Sequence, residues 1–259
     1  MITLFNCSSE KMFETLGAQC VKVSVQSPPY KEVDGYGNSI MSVVANELYH
    51  VHKDDSVCFL NFGDLAGQAS RPFKVVELFE RVGFELMQTI FWIKSVDGKG
   101  HFTPINSDRR LNNGGEYVFM FAKGSPKLKR LKIGVPYTDK SNIARFGHKQ
   151  DLRCRGNVWY IPYQTHQSQS EKLHLNRFPI ELVKRCLLLG GVRKGCLVAD
   201  AFAGGATTCK VAEMLGVNSV GFELSRRVYN KTIKSLQPAF EVASTRDKCV
   251  TLKRKRKSS

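Results

Sequence analysis

The sequence predicts an α/β fold, a largely parallel sheet with helices on both faces. Three observations predict it. β-branched or apolar runs alternate with amphipathic helical runs over residues 1–122. The alternation resumes at Pro179. The strand that ends at Asp200 passes through a small-residue turn straight into a helix. The chain has 259 residues, 42% of them hydrophobic, enough for one large domain with an insertion or for two small domains.

The elements follow in order. Ile2 to Phe5 reads as a short strand. Ser8-Ser9-Glu10 opens an amphipathic helix to about Leu16, stopped by Gly17. Cys20 to Val25 is a β-branched strand ending at Ser27. Asn38 to about Val51 is helical, and Ser56 to Asn61 is a buried apolar strand closed by Gly63. Pro72 sits in the first turn of a helix to Val82. Phe84 to Lys94 and Glu116 to Ala122 are two strands with no helical pattern between them, so they are expected to pair antiparallel at one sheet edge. Pro179 to Leu189 is helical, Cys196 to Ala201 a strand, Ala206 to Leu215 a helix stopped by Gly216, and Ser219 to Glu223 a strand. Ser225 caps a last helix to about Leu236, stopped by Pro238. Residues 95–115 and 123–170 lack a clean period, and connections of that length are usually functional or disordered.

Charge adds a partner class. The formal net charge is +16, and most of it sits in two places. Residues 123–155 hold ten basic side chains against Asp139 and Asp151, a local +8; residues 246–259 hold seven against Asp247, a local +6. Charge concentrated in this way is the footprint of a polyanion, because each neutralised phosphate releases a condensed counterion. The tail, residues 241–259 and above all Thr251 to Ser259, is expected to be disordered; within it Lys253 to Lys257 form an unbroken basic run, expected to act as a nuclear-import signal or a nonspecific DNA anchor, and otherwise a cytoplasmic location is expected. No apolar run is long enough to span a membrane, and the first residues do not form a secretory signal. The eight cysteines are scattered without C-x-x-C spacing, so they read as reduced thiols, and no metal site is expected.

Two segments carry the chemistry. Asp200-Ala201-Phe202-Ala203-Gly204-Gly205-Ala206-Thr207-Thr208 is a strand end, a small-residue turn and a helix start. Such a turn lets a ligand approach the backbone, and the helix N-terminus offers free N–H groups. Glu223 ends the next strand, where a carboxylate accepts hydrogen bonds from ribose hydroxyls. These features alone support a dinucleotide as readily as S-adenosylmethionine. The other segment, Ser27-Pro28-Pro29-Tyr30, follows a strand and lies at the ligand-binding edge of such a sheet; by itself it reads equally as a proline turn closing the strand or as a site that holds an amino group. An exocyclic amino group conjugated to a base ring is a poor nucleophile. Acceptors aimed at its hydrogens free its lone pair, and Ser27 Oγ and the Pro28 carbonyl are suitable. The prolines fix that carbonyl, and Tyr30 can stack on the base.

With Ser27-Pro28-Pro29-Tyr30 preceding the Asp200 segment, the chain resembles the β class of DNA amino-methyltransferases, in which the catalytic half comes before the cofactor half. The resemblance implies a Rossmann-like, seven-stranded, circularly permuted sheet that uses S-adenosyl-L-methionine. It also implies a division into a catalytic half (1–122), a basic target-recognition insertion (123–155), a cofactor half (156–240) and a basic tail (241–259). The family motif Asp-x-Phe-x-Gly-x-Gly-Thr-Thr is matched by Asp200, Phe202, Gly204, Thr207 and Thr208, with Ala206 where the last glycine is expected. Its Cβ is expected to crowd the cofactor slightly. By resemblance Asp200 lies near the methionine amino group, Glu223 on the ribose, and Phe202 and Phe222 pack around the cofactor. Phe178, in His174-Leu175-Asn176-Arg177-Phe178-Pro179, belongs to the segment packed against the methionine end. Asn6 takes the place of the family's Asp on the adenine side. Trp159 and Asn61-Phe62-Gly63-Asp64 match further family segments.

The same resemblance sets the substrate. Family members acting on adenine usually have Asp at the Ser27 position, and those acting on N4 of cytosine usually have Ser. The expectation is therefore a cytosine-N4 DNA methyltransferase that flips its target base. The alternatives are an N6-adenine enzyme, an RNA base methyltransferase, and an inactive DNA-binding module suggested by Asn6 and Ala206. Trp92 is expected to flank the flipped base and Lys94 to meet a phosphate. Lys127, Lys129 and Arg130 are expected to grip DNA, and Arg145, Arg153 and Arg155 to read base edges. In outline the chain is also similar to the eukaryotic cytosine-N4 methyltransferases of bdelloid rotifers.

Overall fold

The structure is a computed structural model that describes residues 1–29, 32–64, 69–96, 99–100, 111–145, 147, 149–162, 179–246 and 248–255, with 32–39 and 99–100 described by backbone alone. Tyr30, the 174–178 segment with Phe178, and residues 256–259 lie outside the described residues. The strands are β1 (Ile2–Phe5), β2 (Val21–Gln26), β3 (His52–Phe62), β4 (Glu85–Ile93), the two-residue pair β5 (Ser95–Val96) and β6 (Lys99–Gly100), β7 (Gly115–Lys123), β8 (Val158–Tyr160), β9 (Leu197–Asp200), β10 (Asn218–Phe222), β11 (Phe240–Arg246) and β12 (Cys249–Arg254). The helices are α1 (Met12–Leu16), α2 (Glu32–Val51), α3 (Arg71–Arg81), α4 (Ser141–Arg145), α5 (Ile180–Leu189), α6 (Thr207–Met214) and α7 (Arg226–Leu236).

Among the described residues the main sheet has ten strands, ordered β11-β12-β1-β10-β9-β2-β3-β7-β4-β8. The expected seven-stranded body is its central run from β1 to β4; the β11–β12 hairpin extends one edge and β8 the other. β9 pairs parallel with both β10 and β2, so the cofactor half is inserted into the middle of the catalytic half's sheet. β4 and β7 pair antiparallel as expected, although β8 then covers β4 from outside.

The helices form for legible reasons. In α5 the buried residues Leu182, Val183, Cys186, Leu187 and Leu189 keep one stripe against the sheet. In α7 the Ser225 hydroxyl accepts from Val228 N at 3.4 Å, and Tyr229, Thr232 and Leu236 face inward. α2 begins six residues earlier than the periodicity predicts. The first expected helix is a 3-10 turn, Ser9–Lys11, followed by the single five-residue α1.

The expectation of a disordered tail does not hold for the described residues up to Arg254. Residues 240–254 form a hairpin whose second strand pairs antiparallel with β1, Ile2 facing Leu252 and Phe5 facing Cys249. Leu252 is fully buried with Ile2, Leu4, Tyr229 and Phe240. Val250 and Leu252 point the same way into this cluster, and their burial favours the strand while the neighbouring Lys253, Arg254 and Lys255 stay exposed and solvated.

Candidate active site

Parallel pairing sets the site. β2, β3, β9 and β10 all end at one edge of the sheet, so Ser27, Asn61, Asp200 and Glu223 come together there from four strands. Two further contacts tie the halves. Ala201 N donates to Gln26 Oε1 (3.4 Å), and Thr208 Oγ1 donates to the Val25 carbonyl (3.5 Å). Gln26 is fully buried and escaped the sequence reading; a polar residue closing an apolar strand just before Ser27 was the available signal.

On the catalytic side, Asn61 Nδ2 donates to the Tyr117 carbonyl (3.0 Å), which turns Oδ1 towards Ser27. Ser27 Oγ donates its proton to that Oδ1 at 3.3 Å. The hydroxyl's lone pairs remain as acceptors. Pro28 is buried and Pro29 exposed. Just beyond β3, Asp64 Oδ1 is buried without a hydrogen-bond partner. Burial, and then the neighbouring Glu116, raise its carboxyl above the usual range.

On the cofactor side, Asp200 is 3% exposed, and burial pushes it up to about 7 even though Phe202 N donates to its Oδ1 at 3.0 Å. A buried carboxylate in this state favours a cation beside it. Glu223 receives Gly204 N on Oε2 (3.0 Å) and Ser225 N on Oε1 (2.8 Å); each oxygen keeps further lone-pair capacity. Asn6 Nδ2 donates to the carbonyls of Glu223 (2.9 Å) and Leu224 (3.2 Å), so its amide fixes the Glu223 loop. Gly204 has φ +47°, and an added Cβ would meet only the Phe202 carbonyl at 3.8 Å, which leaves the turn open to a ligand. Thr207 is half-buried at the first turn of α6, Thr208 is buried, and Phe202 is half-buried beside the core. Phe222 stacks on Phe5, centroids 5.1 Å apart, inside the core.

Ala206 corrects an expectation. It holds a left-handed backbone, φ 57° and ψ 36°, which explains why glycine suits the position. Its methyl is fully buried among Ile2, Leu4, Cys209 and Tyr229, in the core instead of the cofactor cleft. Missed by the sequence reading was Gly221, where a Cβ would approach Ala203 Cβ and Leu4 Cδ2 to 2.8 Å; that close packing seats the turn on β10.

The expected DNA contacts divide. Trp92 is 2% exposed and donates Nε1–H to the Ile161 carbonyl (2.8 Å), so it is core and does not flank a base. Lys94 is 5% exposed and paired with Glu116, which removes it from the phosphate-contacting surface. β7 runs antiparallel to β3 and brings Lys123 opposite Ser56, at the edge away from Ser27. Lys123 is itself buried, its ammonium bonded to the Tyr49 and His52 carbonyls. Lys127, Lys129 and Arg130 follow at that far edge, where Lys129 N bonds to the Leu189 carbonyl. They are exposed, but roughly 20 Å from Ser27, the length of a six-residue strand. Between residues 134 and 153, Val135 and Arg153 bridge antiparallel and close the segment carrying α4 into a lobe, of which 146 and 148 lie outside the described residues; Arg145 and Arg153 are exposed on it. Arg155 is half-buried, its Nε bonded to the Ile133 carbonyl (3.0 Å). Among the described residues no cluster of His, Cys, Asp or Glu could hold a metal, and no helix is long and apolar enough to cross a membrane.

Ser27, Asn61, Asp200 and Glu223 thus meet at the carboxyl edge of a largely parallel α/β sheet, where such sheets bind ligands. The family model described as DNA methylase, for N6/N4 methyltransferases, matches residues 21–234, and the chain belongs to that family. It is 28% identical over 255 residues to the orphan methyltransferase M.BamHII of Bacillus amyloliquefaciens, covering 86% of this chain and 92% of that one. It is 28% identical over 213 residues to the type II methyltransferase M.MjaI of Methanocaldococcus jannaschii, covering 76% and 64%. The fold is similar to the cytosine-N4-specific PvuII DNA methyltransferase, with TM-score 0.66, 20% identity and 90% and 85% coverage. It is also similar to M1.HpyAVI in complex with SAM, with TM-score 0.58, 16% identity and 91% and 99% coverage. S-adenosyl-L-methionine is the methyl donor of such an enzyme, and the residues here fit it. The residues that would hold it are Asp200, a buried carboxyl that could face a cation, Glu223, a carboxylate that could accept from hydroxyls, and Gly204, whose backbone is open to approach.

Proposed function

We propose that this DNA methyltransferase acts on the exocyclic N4 amino group of cytosine, in the β-class arrangement. Ser27 carries the reading. Asn61 Oδ1 accepts the Ser27 hydroxyl's hydrogen bond, so the hydroxyl presents acceptor lone pairs at the edge where Asp200 and Glu223 would hold the cofactor. A neutral serine at this position is the residue usual for cytosine. The bound sulfonium supplies an activated methyl group, so no strong base is needed before transfer. Ser27 Oγ and the Pro28 carbonyl orient the amino lone pair, and positioning with electrostatics carries the catalysis. The amino group is out of reach inside a duplex, so the base is flipped to this edge. Asp64 is proposed to line its pocket.

The motives for an inactive module weaken: the Ala206 methyl faces the core, and Asn6 supports the Glu223 loop. The basic run from Lys253 supports a DNA anchor ahead of nuclear import, because Lys253 and Arg254 are committed to β12. The test is mass spectrometry of nucleosides from DNA incubated with the protein and S-adenosyl-L-methionine. N4-methylcytosine is expected; N6-methyladenine as the product would overturn the assignment.

A further inference from the structure

A cavity of about 200 Å³ lies between α5 and the Arg130–Ile133 turn, on a flank of the sheet separate from the Ser27 edge. That is below the roughly 300 Å³ at which pockets for drug-sized molecules begin. Its lining includes Lys132, Gly134, Arg155, Lys184 and Arg185, with Glu181 as its carboxylate. Four cations thus face one anion, and that anion is already used: Glu181 Oε1 accepts from Arg185 Nε at 2.7 Å.

Arg185 is held from two sides, by Glu181 and by Trp159. Its guanidinium lies over the Trp159 ring, 5.7 Å from the centroid, and the Trp159 indole is itself fixed by the Gly156 carbonyl at 2.9 Å. With Nε bound, Nη1 is left buried with no hydrogen-bond partner among the described residues. A buried guanidinium nitrogen left without an acceptor is costly, and a bound anion or a bound water meets it. Arg155 is anchored by its own Nε to the Ile133 carbonyl, and burial, followed by the charge of Arg185, lowers its pKa from the usual value. Two guanidiniums lining one cavity are stabilised by an anion placed between them. Planar forks with two flanking ammoniums suit a multi-oxygen tetrahedral anion better than a single carboxylate.

We propose that this cavity is a phosphate-binding pocket, in which Arg185 and Arg155 hold the phosphate oxygens while Lys132 and Lys184 neutralise its charge. The phosphate is either a DNA backbone group outside the target base or a free anion, and the experiment separates the two. Lys132 and Lys184 are exposed, so the double variant Lys132→Gln/Lys184→Gln keeps the fold and carries the test if Arg185→Gln does not. Inorganic phosphate is titrated calorimetrically into the full chain at low salt, and duplex affinity is measured across a salt series. A drop of at least about fivefold in phosphate affinity with an unchanged salt slope identifies a free anion. A slope flattened by about one unit identifies a backbone phosphate. If wild-type protein does not bind phosphate and neither variant alters the slope, the pocket is overturned. The nucleoside product is read separately, so this failure is distinct from failure of the cytosine assignment.

Discussion

At the residue scale, the site depends on single atoms whose state is set by burial. Ser27→Ala removes the acceptor aimed at the amino group but touches no proposed cofactor contact. Transfer is expected to fall by about 10²-fold, the scale of losing one preorganised hydrogen-bonding group, with cofactor affinity unchanged; single-turnover rates and calorimetry on the same preparation check both. Asp200 links stability to pH. Burial raises its folded value to about 7 from the ordinary 3.8, so the folded chain holds the proton more tightly than the unfolded one. The stability it contributes is full below about pH 4 and is lost as pH rises through 7. Asp200→Asn should therefore stabilise the cofactor-free protein by about 2–4 kcal/mol at pH 8 and by little at pH 4, while weakening cofactor binding. Denaturant titrations at the two pH values decide it. Buried His52 has the opposite dependence. Its folded value is pushed down to about 3 from 6.5, so its share of stability is full above 6.5 and is lost as acid approaches 3.

Ala206→Gly relieves a left-handed alanine, worth roughly 1–2 kcal/mol. It also loses a buried methyl, worth about 0.8 kcal/mol, and gains backbone entropy in the unfolded chain. Net stability is expected to move by less than about 1 kcal/mol, and cofactor affinity by less than a factor of about three, since the methyl faces Ile2 and Leu4. A large gain in affinity would restore the crowding expectation.

At the element scale, the turn between β9 and α6 and the loop after β10 hold each other through Glu223. Glu223→Ala should weaken cofactor binding by about 1.5–3 kcal/mol if the ribose contact is charge-assisted. The same change removes the acceptors of Gly204 N and Ser225 N, so thermal stability should fall with it. Glu223→Gln keeps a neutral acceptor and separates the two effects. The β11–β12 hairpin behaves as fold, not as tail. Truncation from Arg256 is expected to leave the melting temperature unchanged. Truncation from Cys249 removes the strand paired with β1, exposes the fully buried Ile2, and should prevent cooperative folding. A cooperative melt in the second variant would refute the hairpin's role.

At the scale of the whole molecule, charge and chemistry occupy different parts of the sheet. The basic block that looks continuous in sequence is split by the fold. Lys123 is buried, Lys127 to Arg130 lie at the edge opposite Ser27, and Arg145 and Arg153 stand on the 134–153 lobe. We therefore expect neutralising Lys127, Lys129 and Arg130 together to flatten the salt dependence of DNA binding less than neutralising Arg145 and Arg153. Equal flattening would mean that DNA reaches the far edge.

The sequence by itself determined the α/β class, the chain order of the two halves and the strand ends that carry Ser27, Asp200 and Glu223. These depend on local periodicity and on turn residues, which act over a few positions. Only the tertiary structure decided what depends on pairing across the chain. Trp92 and Lys94 resemble surface groups in sequence, but β8 and Glu116 enclose them. Val250 and Leu252 are too few to register against a basic run until β1 supplies a partner strand. Gln26 becomes a link between halves only when β9 is inserted beside β2. Burial and hydrogen-bond satisfaction are properties of neighbours brought together from distant positions, and no local pattern encodes which neighbours arrive.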